Sequence, residues 1–186
     1  MTKVKHKLLP FILTLLTLGA DQSSKAFIAA RWPQNSFITD VFGNEFLHII
    51  HVRNKAIAFS LGYNLPEWVK PLLFVLVPLA VLALLIRYYF VSNEFNALQR
   101  WSVAGILGGG IGNLIDRIFR PDGVVDFISV KFYGFLGLER WPTFNVADSC
   151  VVVFGILLFV TMFRPEKAGS GDNRTPEPQE RRGRKK

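Results

Sequence analysis

Twenty consecutive residues, PLLFVLVPLAVLALLIRYYF (Pro71 to Phe90), carry a single charge, Arg87, near one end. As a helix, about 20 mostly apolar residues match the hydrocarbon core of a bilayer, roughly 30 Å thick. Within lipid every backbone N–H and C=O must be satisfied inside the segment, which leaves helices and closed barrels as the spanning forms. The chain has 186 residues, enough for one domain, and half of them are hydrophobic while 19% are charged. A helical membrane protein is therefore the expected class. Pro78 falls inside the run and is expected to kink it.

Three further segments fit the same solvent. NVADSCVVVFGILLFVTMF (Asn145 to Phe163) has one charge, Asp148, in its first turn. WSVAGILGGGIGNLIDRIF (Trp101 to Phe119) is less apolar and glycine-rich. Small residues let membrane helices approach closely, which places this helix inside a bundle. The fourth runs from Leu8 to about Ala30. It follows Lys3, Lys5 and Lys7 and contains Gly19 and Ala20, so it also resembles a cleavable signal peptide. Leu18 occupies the position such a cleavage site reserves for a small residue, so the segment is expected to be retained.

Charge supports that choice. With four helices and both termini cytoplasmic, the inner side holds Lys3, Lys5, Lys7, Arg87, Arg100, Arg164, Lys167, Arg174, Arg181, Arg182, Arg184, Lys185 and Lys186. Its acids are Glu94, Glu166, Asp172, Glu177 and Glu180. The inner face then carries the whole net charge of +8, as the excess of Lys and Arg on cytoplasmic flanks requires. The expected membrane domain is residues 1–164. The basic stretch from 165 to 186 reads as a disordered cytoplasmic tail that reinforces topology and touches anionic lipid, with no nucleic-acid role.

Two outer segments remain, about 31–70 and 120–144. SFITDVFGNEFLHIIHV reads as two β-runs around a turn at Gly43 and Asn44, and GVVDFISVKFYGF as a third run after a turn at Asp122 and Gly123. The expected fold is thus four transmembrane helices carrying a small β-rich extracytoplasmic sheet at the membrane surface. His48 and His51, three apart on a strand, would face opposite ways, which argues against a metal site. Cys150 is the single cysteine, which excludes an internal disulfide and a cysteine-based zinc cluster, and it reads as helix packing.

Ionisable groups at membrane depth are costly and point to function. Here they gather at the outer helix ends. Asp21 and Lys25 are four apart; Asn113, Asp116 and Arg117 are spaced by three and four; Asn145 and Asp148 are three apart. Asp126 lies inside the apolar VVDFI, and Asn54 lies just before IAFSLG. All can converge on one outer pocket. Asp126 and Asp148 lack an obvious basic neighbour in sequence, which suits a pair sharing one proton. One member can then take a proton from water while the protonated partner polarises a carbonyl, without metal or cofactor. No serine elbow, zinc-binding helix or phosphate loop motif is present in the sequence.

Five blocks also carry a resemblance: DQSSK (Asp21 to Lys25), RNKAIAFSLG (Arg53 to Gly62), GGGIGNLIDR (Gly108 to Arg117), GVVDFI (Gly123 to Ile128) and FNVADS (Phe144 to Ser149). In this order they resemble the bacterial lipoprotein signal peptidases, also called signal peptidase II. The resemblance implies an aspartic endopeptidase of the cytoplasmic (inner) membrane, active at its extracytoplasmic face. It would remove the signal peptide of a prolipoprotein by cutting before a diacylglyceryl-modified cysteine. By that likeness Asp126 and Asp148 are the catalytic pair. Asn54, Asn113, Arg117 and Asn145 line or support the site, and Asp21, Lys25 and Asp116 are structural or orienting. The partners implied are the lipidated substrate and membrane lipids, with no obligatory protein partner. Ala56 stands where the family usually has Gly, and Gly110 where it usually has Ala. Two other classes compete: a small proton-coupled transporter, disfavoured because the polar groups cluster at one face, and a non-catalytic assembly protein, which would not account for Asp126 and Asp148.

Overall fold

The computed structural model describes residues 2–55, 65, 66 and 68–163. Ala56, the IAFSLG stretch and the basic tail lie outside them.

The elements are α1 (Thr2–Leu8), α2 (Phe11–Arg31), β1 (Ser36–Asp40), β2 (Leu47–Asn54), α3 (Val69–Val91), α4 (Ala97–Phe119), β3 (Val124–Val130) and α5 (Val146–Met162). Four long helices therefore stand where the apolar segments were expected. Two boundaries differ. The first helix begins at Phe11, because Leu9 and Pro10 interrupt the backbone ladder after a separate short helix. The third begins at Ala97, four residues early, because Asn96 and Gln99 form a reciprocal cap. The Asn96 Oδ1 accepts from the Gln99 backbone N–H at 3.0 Å, and the Gln99 side chain accepts from the Asn96 backbone N–H at 3.0 Å.

Val69–Val91 is the one helix among the described residues that is long and apolar enough by itself to cross a bilayer; Val146–Met162 is apolar but shorter. Pro78 does not break the long helix. Residues Leu72–Leu76 just ahead of it form a wide turn, in which the Val77 N–H donates to the Leu72 carbonyl five residues back. A wide turn of this kind helps a helix absorb the proline ring and its missing N–H.

Packing follows side-chain size. Leu82, Tyr89, Val103, Leu107 and Leu114 form the buried core between α3 and α4. On the other side of α4, glycines set the approach of α2 and α5. A methyl group on Gly109 would collide with the Ala147 carbonyl of α5, and one on Gly112 would lie 2.5 Å from the Asp21 Oδ2 of α2. Gly112→Ala is accordingly expected to cost about 1–3 kcal/mol and to lower the melting temperature of the purified protein, since the obstacle is a buried carboxylate that cannot move aside. Gly110→Ala would press only the flexible end of Leu82, so it is expected to melt close to the parent.

The three strands form one antiparallel sheet in the order β1-β2-β3. The β1–β2 hairpin closes as expected: Gly43 takes a left-handed φ of 67°, and the Asp40 carboxylate accepts from the Phe42 and Glu45 backbone N–H groups at 3.2 and 2.6 Å. Ile28 of α2, Val125 and Phe127 of β3 are buried together against Trp32, Ile38, Ile49 and Val146. This cluster seats the sheet on one end of the helix bundle. At the opposite end Lys7 donates to the Phe90 and Ser92 carbonyls, capping α3, and the Tyr89 hydroxyl donates to the Lys7 carbonyl at 2.6 Å.

Candidate active site

The C-terminal end of α2, the C-terminal end of α4, the N-terminal end of α5 and β3 meet beneath the sheet. Every candidate residue named from the sequence lies at this junction. At its base is Lys25, fully buried. Its three N–H donors are all taken: by the Asp21 Oδ2 at 2.9 Å, the Asp116 Oδ2 at 3.2 Å and the Asn113 Oδ1 at 2.9 Å. Asp21 and Asp116 are also fully buried, so each needs further partners. The Asp21 Oδ1 accepts from the Ala147 backbone N–H at 3.0 Å, in the first turn of α5. The Asp116 Oδ2 accepts from the Val125 backbone N–H at 3.3 Å. The base thus ties α2 and α4 to α5 and β3, the two elements that carry Asp148 and Asp126.

Two members of the base were not singled out from sequence. The Gln22 amide donates to the Asp21 Oδ2, the Gly112 carbonyl and the Asp116 Oδ1 at 3.0, 3.0 and 3.1 Å. Arg120 brings its Nε within 3.5 Å of the Asp116 Oδ1, a second cation against that carboxylate. Arg120 could have been found from its position four residues after Asp116, one helical turn on. Asp116 was expected to be structural or orienting, and its contacts are of that kind. It reaches across to β3 and orders the residue beside Asp126.

Above the base two asparagines set the carboxylates. Asn113 accepts from Lys25 through Oδ1, which fixes its amide so that Nδ2 donates to the Asp148 Oδ1 at 2.7 Å. Asn145 begins α5 as a reciprocal cap. Its Oδ1 accepts from the Asp148 backbone N–H, and its own backbone N–H donates to the Asp148 Oδ2, both at 3.0 Å. That leaves its Nδ2 to donate to the Asp126 Oδ1 at 2.7 Å and to the Asn113 Oδ1 at 3.1 Å. One residue therefore holds both carboxylates. Asn54, at the end of β2, donates to the other Asp126 oxygen at 3.0 Å.

Asp126 is 3% exposed. Burial, and next the charge of Asp148, push its carboxyl up to about 7, against the hydrogen bonds from Asn54 and Asn145 and the charge of Lys25. Arg117, one residue on from Asp116, packs over the Phe74 ring of α3, 5.3 Å from its centre. Its charge still acts on Asp126, Asp148 and Asp116. His48 and His51 part as expected. The His48 Nε2 lies 3.8 Å from the Asp40 carboxylate, and the His51 Nδ1 is 2.8 Å from the Trp32 carbonyl.

Two concavities flank the pair. A groove of about 500 Å³ runs beside Asp148 between α5 and the segment after β3, with Val130, Phe132, Trp141, Phe144, Val152 and Val153 as apolar walls. A second, of about 280 Å³, opens between α3 and α4 beside Asn54 and Arg117.

The same architecture recurs in a bacterial membrane enzyme whose structure was solved by the in meso method at 2.3 Å resolution. The TM-score is 0.70 over 83% of this chain and 87% of that one, at 24% identity. The chain thus has the fold of a membrane enzyme, helical with a small three-stranded sheet. In sequence it is 44% identical over 163 residues to the lipoprotein signal peptidase of Treponema pallidum (strain Nichols), covering 88% of this chain and 87% of that protein. It is also 44% identical over 162 residues to the lipoprotein signal peptidase of Treponema denticola, covering 87% and 92%. Residues 13–164 match the family model of signal peptidase (SPase) II, and the chain belongs to that family of peptidases.

Proposed function

We propose that the protein removes the signal peptide from prolipoproteins by cutting before a diacylglyceryl-modified cysteine, with Asp126 and Asp148 activating the water. The observation that carries the mechanism is Asn145, which binds Asp126 through its side chain and Asp148 through its backbone N–H and so holds the two carboxylates toward one space. In that arrangement the pair holds one proton. The ionised member takes a proton from a water whose oxygen attacks the scissile carbonyl carbon. The protonated member gives its proton to the carbonyl oxygen. Collapse of the tetrahedral intermediate then breaks the C–N bond: the amine leaves with the proton taken from the water, and one hydroxyl of the intermediate returns its proton to the carboxylate that gave it, which restores the pair. The pair titrates as a unit, so the proton belongs to both.

All four long helices cross the inner membrane, with both termini cytoplasmic and the sheet outside. This topology is supported by the apolar side chains they turn outward, among them Leu15 and Leu16 on α2, Leu84 on α3 and Ile156 and Phe159 on α5. The substrate arrives by lateral diffusion. The groove beside Asp148 passes an apolar part of it while the scissile peptide rises to the carboxylates. Arg117, Asn54 and Asn113 hold peptide or carboxylates by charge and hydrogen bonds. No further protein chain enters this scheme.

Two measurements test the reading. The first is turnover of a diacylglyceryl prolipoprotein against pH. A carboxyl raised to about 7 keeps its proton at neutral pH and loses it above. Turnover is therefore expected to fall about tenfold per pH unit above pH ~7, as the doubly ionised pair accumulates. A rate that rises steadily to pH 9 would oppose proton sharing. The second is turnover after EDTA treatment, which is expected to match the untreated protein; a loss restored by zinc would replace the carboxylate mechanism with a metal-dependent one.

A further inference from the structure

Where the chain breaks at Leu9 and Pro10, between α1 and α2, a concavity of about 260 Å³ opens at the end of the bundle away from the sheet. His6, Leu9 and Pro10 line one side of it, and Ala97, Arg100 and Trp101, from the first turns of α4, line the other. It shares no residue with the candidate active site. Arg100 gives it a chemical direction. The guanidinium lies over the Tyr89 ring, 5.4 Å from its centre, and Tyr89 is its partner on that face. The Tyr89 hydroxyl gives its own proton to the Lys7 carbonyl at 2.6 Å. The Arg100 Nη1 is buried and has no hydrogen-bond partner among the described residues. Buried N–H groups are nearly always paired, so an orphan on a guanidinium marks a missing acceptor.

Position supplies the other half of the ligand. Leu9 is 54% exposed and stands at the start of the apolar run of α2, so it offers a hydrocarbon wall beside the guanidinium. Trp rings such as that of Trp101 settle at the boundary between headgroups and acyl chains. In the topology proposed above this end of the bundle lies in the cytoplasmic leaflet, whose surface anionic lipids make negative. An acceptor there that meets a guanidinium on one side and an apolar wall on the other has a charged head and a hydrocarbon body. A guanidinium fork matches the oxygens of a phosphate. We propose that this concavity binds the phosphate of an anionic phospholipid of the cytoplasmic leaflet. The Arg100 Nη1 donates to a phosphate oxygen, His6 and Trp101 flank the headgroup, and an acyl chain runs along Leu9. A zwitterionic headgroup would bring an ammonium of its own beside the guanidinium, and like charges repel. The proposal rests on the membrane topology above but not on the peptidase chemistry, since its readout is lipid retention.

The full chain is reconstituted in nanodiscs with spin-labelled phosphatidylglycerol or phosphatidylcholine, and the immobilised lipid fraction is measured. The expected result is preferential immobilisation of phosphatidylglycerol. Ala97→Asp is the decisive variant. Ala97 is exposed and lines the concavity, and a carboxylate in the first turn of a helix favours the helix. The variant should therefore melt at or above the parent while its new charge faces the phosphate. One charge near an anionic lipid is worth a factor of about five, so the preference should fall about fivefold. Arg100→Gln should lose it by a like factor, but it also gives up the Tyr89 contact, which Ala97→Asp leaves in place. Asn93→Asp is the control. It adds the same charge at the same end but outside the concavity, at an exposed side chain whose Oδ1 accepts from Lys7 at 3.1 Å, and it should retain the preference. Equal immobilisation of the two lipids, or an undiminished preference in Ala97→Asp, would overturn the proposal. So would an equal loss in Asn93→Asp, which would reduce the effect to diffuse charge, or displacement of phosphatidylglycerol by millimolar inorganic phosphate, which would assign the site to a free anion. A chain that stayed out of the discs would sink the membrane topology and this proposal together.

Discussion

Asp126→Asn and Asp148→Asn are each expected to lower turnover of a lipidated precursor by about a thousandfold or more, with the fold retained. General acid–base steps supply factors of 10²–10⁴, and an amide can neither take the proton from water nor give one to the carbonyl. Asp126→Asn is the sharper of the two. Its oxygens accept from two different amides, Asn145 at 2.7 Å and Asn54 at 3.0 Å. Asn145 is fixed by its cap, and its Nδ2 finds an amide oxygen in the variant where it now finds the carboxylate. The variant therefore keeps that hydrogen bond and the shape of the side chain. Its stability has a definite sign as well. A carboxyl raised from 3.8 to about 7 in the folded state contributes its stability below 3.8 and loses it as the pH rises through 7. At pH 8 Asp126→Asn is thus expected to melt at or above the parent temperature while being inactive. A folded Asp126→Asn protein that turns over at more than a tenth of the parent rate would sink the shared-proton pair.

Lys25→Met should do the reverse, destroying the fold before the chemistry. It removes the one cation that lies between Asp21 and Asp116, at 2.9 and 3.2 Å, in a base where all three side chains are fully buried. Breaking a buried pair by deleting one partner costs about 3–5 kcal/mol, because the remaining charge has nothing to answer it. Against total stabilities of about 5–15 kcal/mol, that is enough to empty the folded state under mild heating. The loss has a second consequence. Asn113 loses the 2.9 Å donation from Lys25 and keeps only the one from Asn145 at 3.1 Å, so its hold on Asp148 weakens. Thermal unfolding in detergent is the check. A Lys25→Met melt within 2 °C of the parent would show that Gln22 and Arg120 carry the two carboxylates by themselves. The double variant Lys25→Met, Asp21→Asn should recover part of the loss, the signature of coupled neighbours.

The helices and the hairpin were legible because their signals are local. Long apolar runs need no knowledge of neighbours, and Gly43 with Asn44 between two β-rich runs specifies a turn. The convergence of polar residues was also legible, since lipid makes buried charge too costly to place without purpose. What escaped depends on contacts between distant segments. Gln22 looks like an ordinary polar residue beside Asp21, yet it bridges to Gly112 and Asp116 on α4. Asn145 is visible as a helix cap, but its hold on Asp126, nineteen residues earlier, exists only once β3 lies against α5. The packing of Arg117 over Phe74 likewise exists only once α3 lies beside α4. Pro78 is visible in the sequence, but the wide turn at Leu72–Leu76 by which the preceding ladder adapts to it is not.

The most direct measurement of the proposed activity is the cleavage position. The purified full chain is incubated with one prolipoprotein in two forms, with and without diacylglyceryl on its cysteine, and the products are read by mass spectrometry. The expected result is a single cut immediately before the lipidated cysteine, absent from the unlipidated form and from the Asp126→Asn protein. Cleavage at another bond, equal cleavage of the unlipidated precursor, or full cleavage by Asp126→Asn would contradict it.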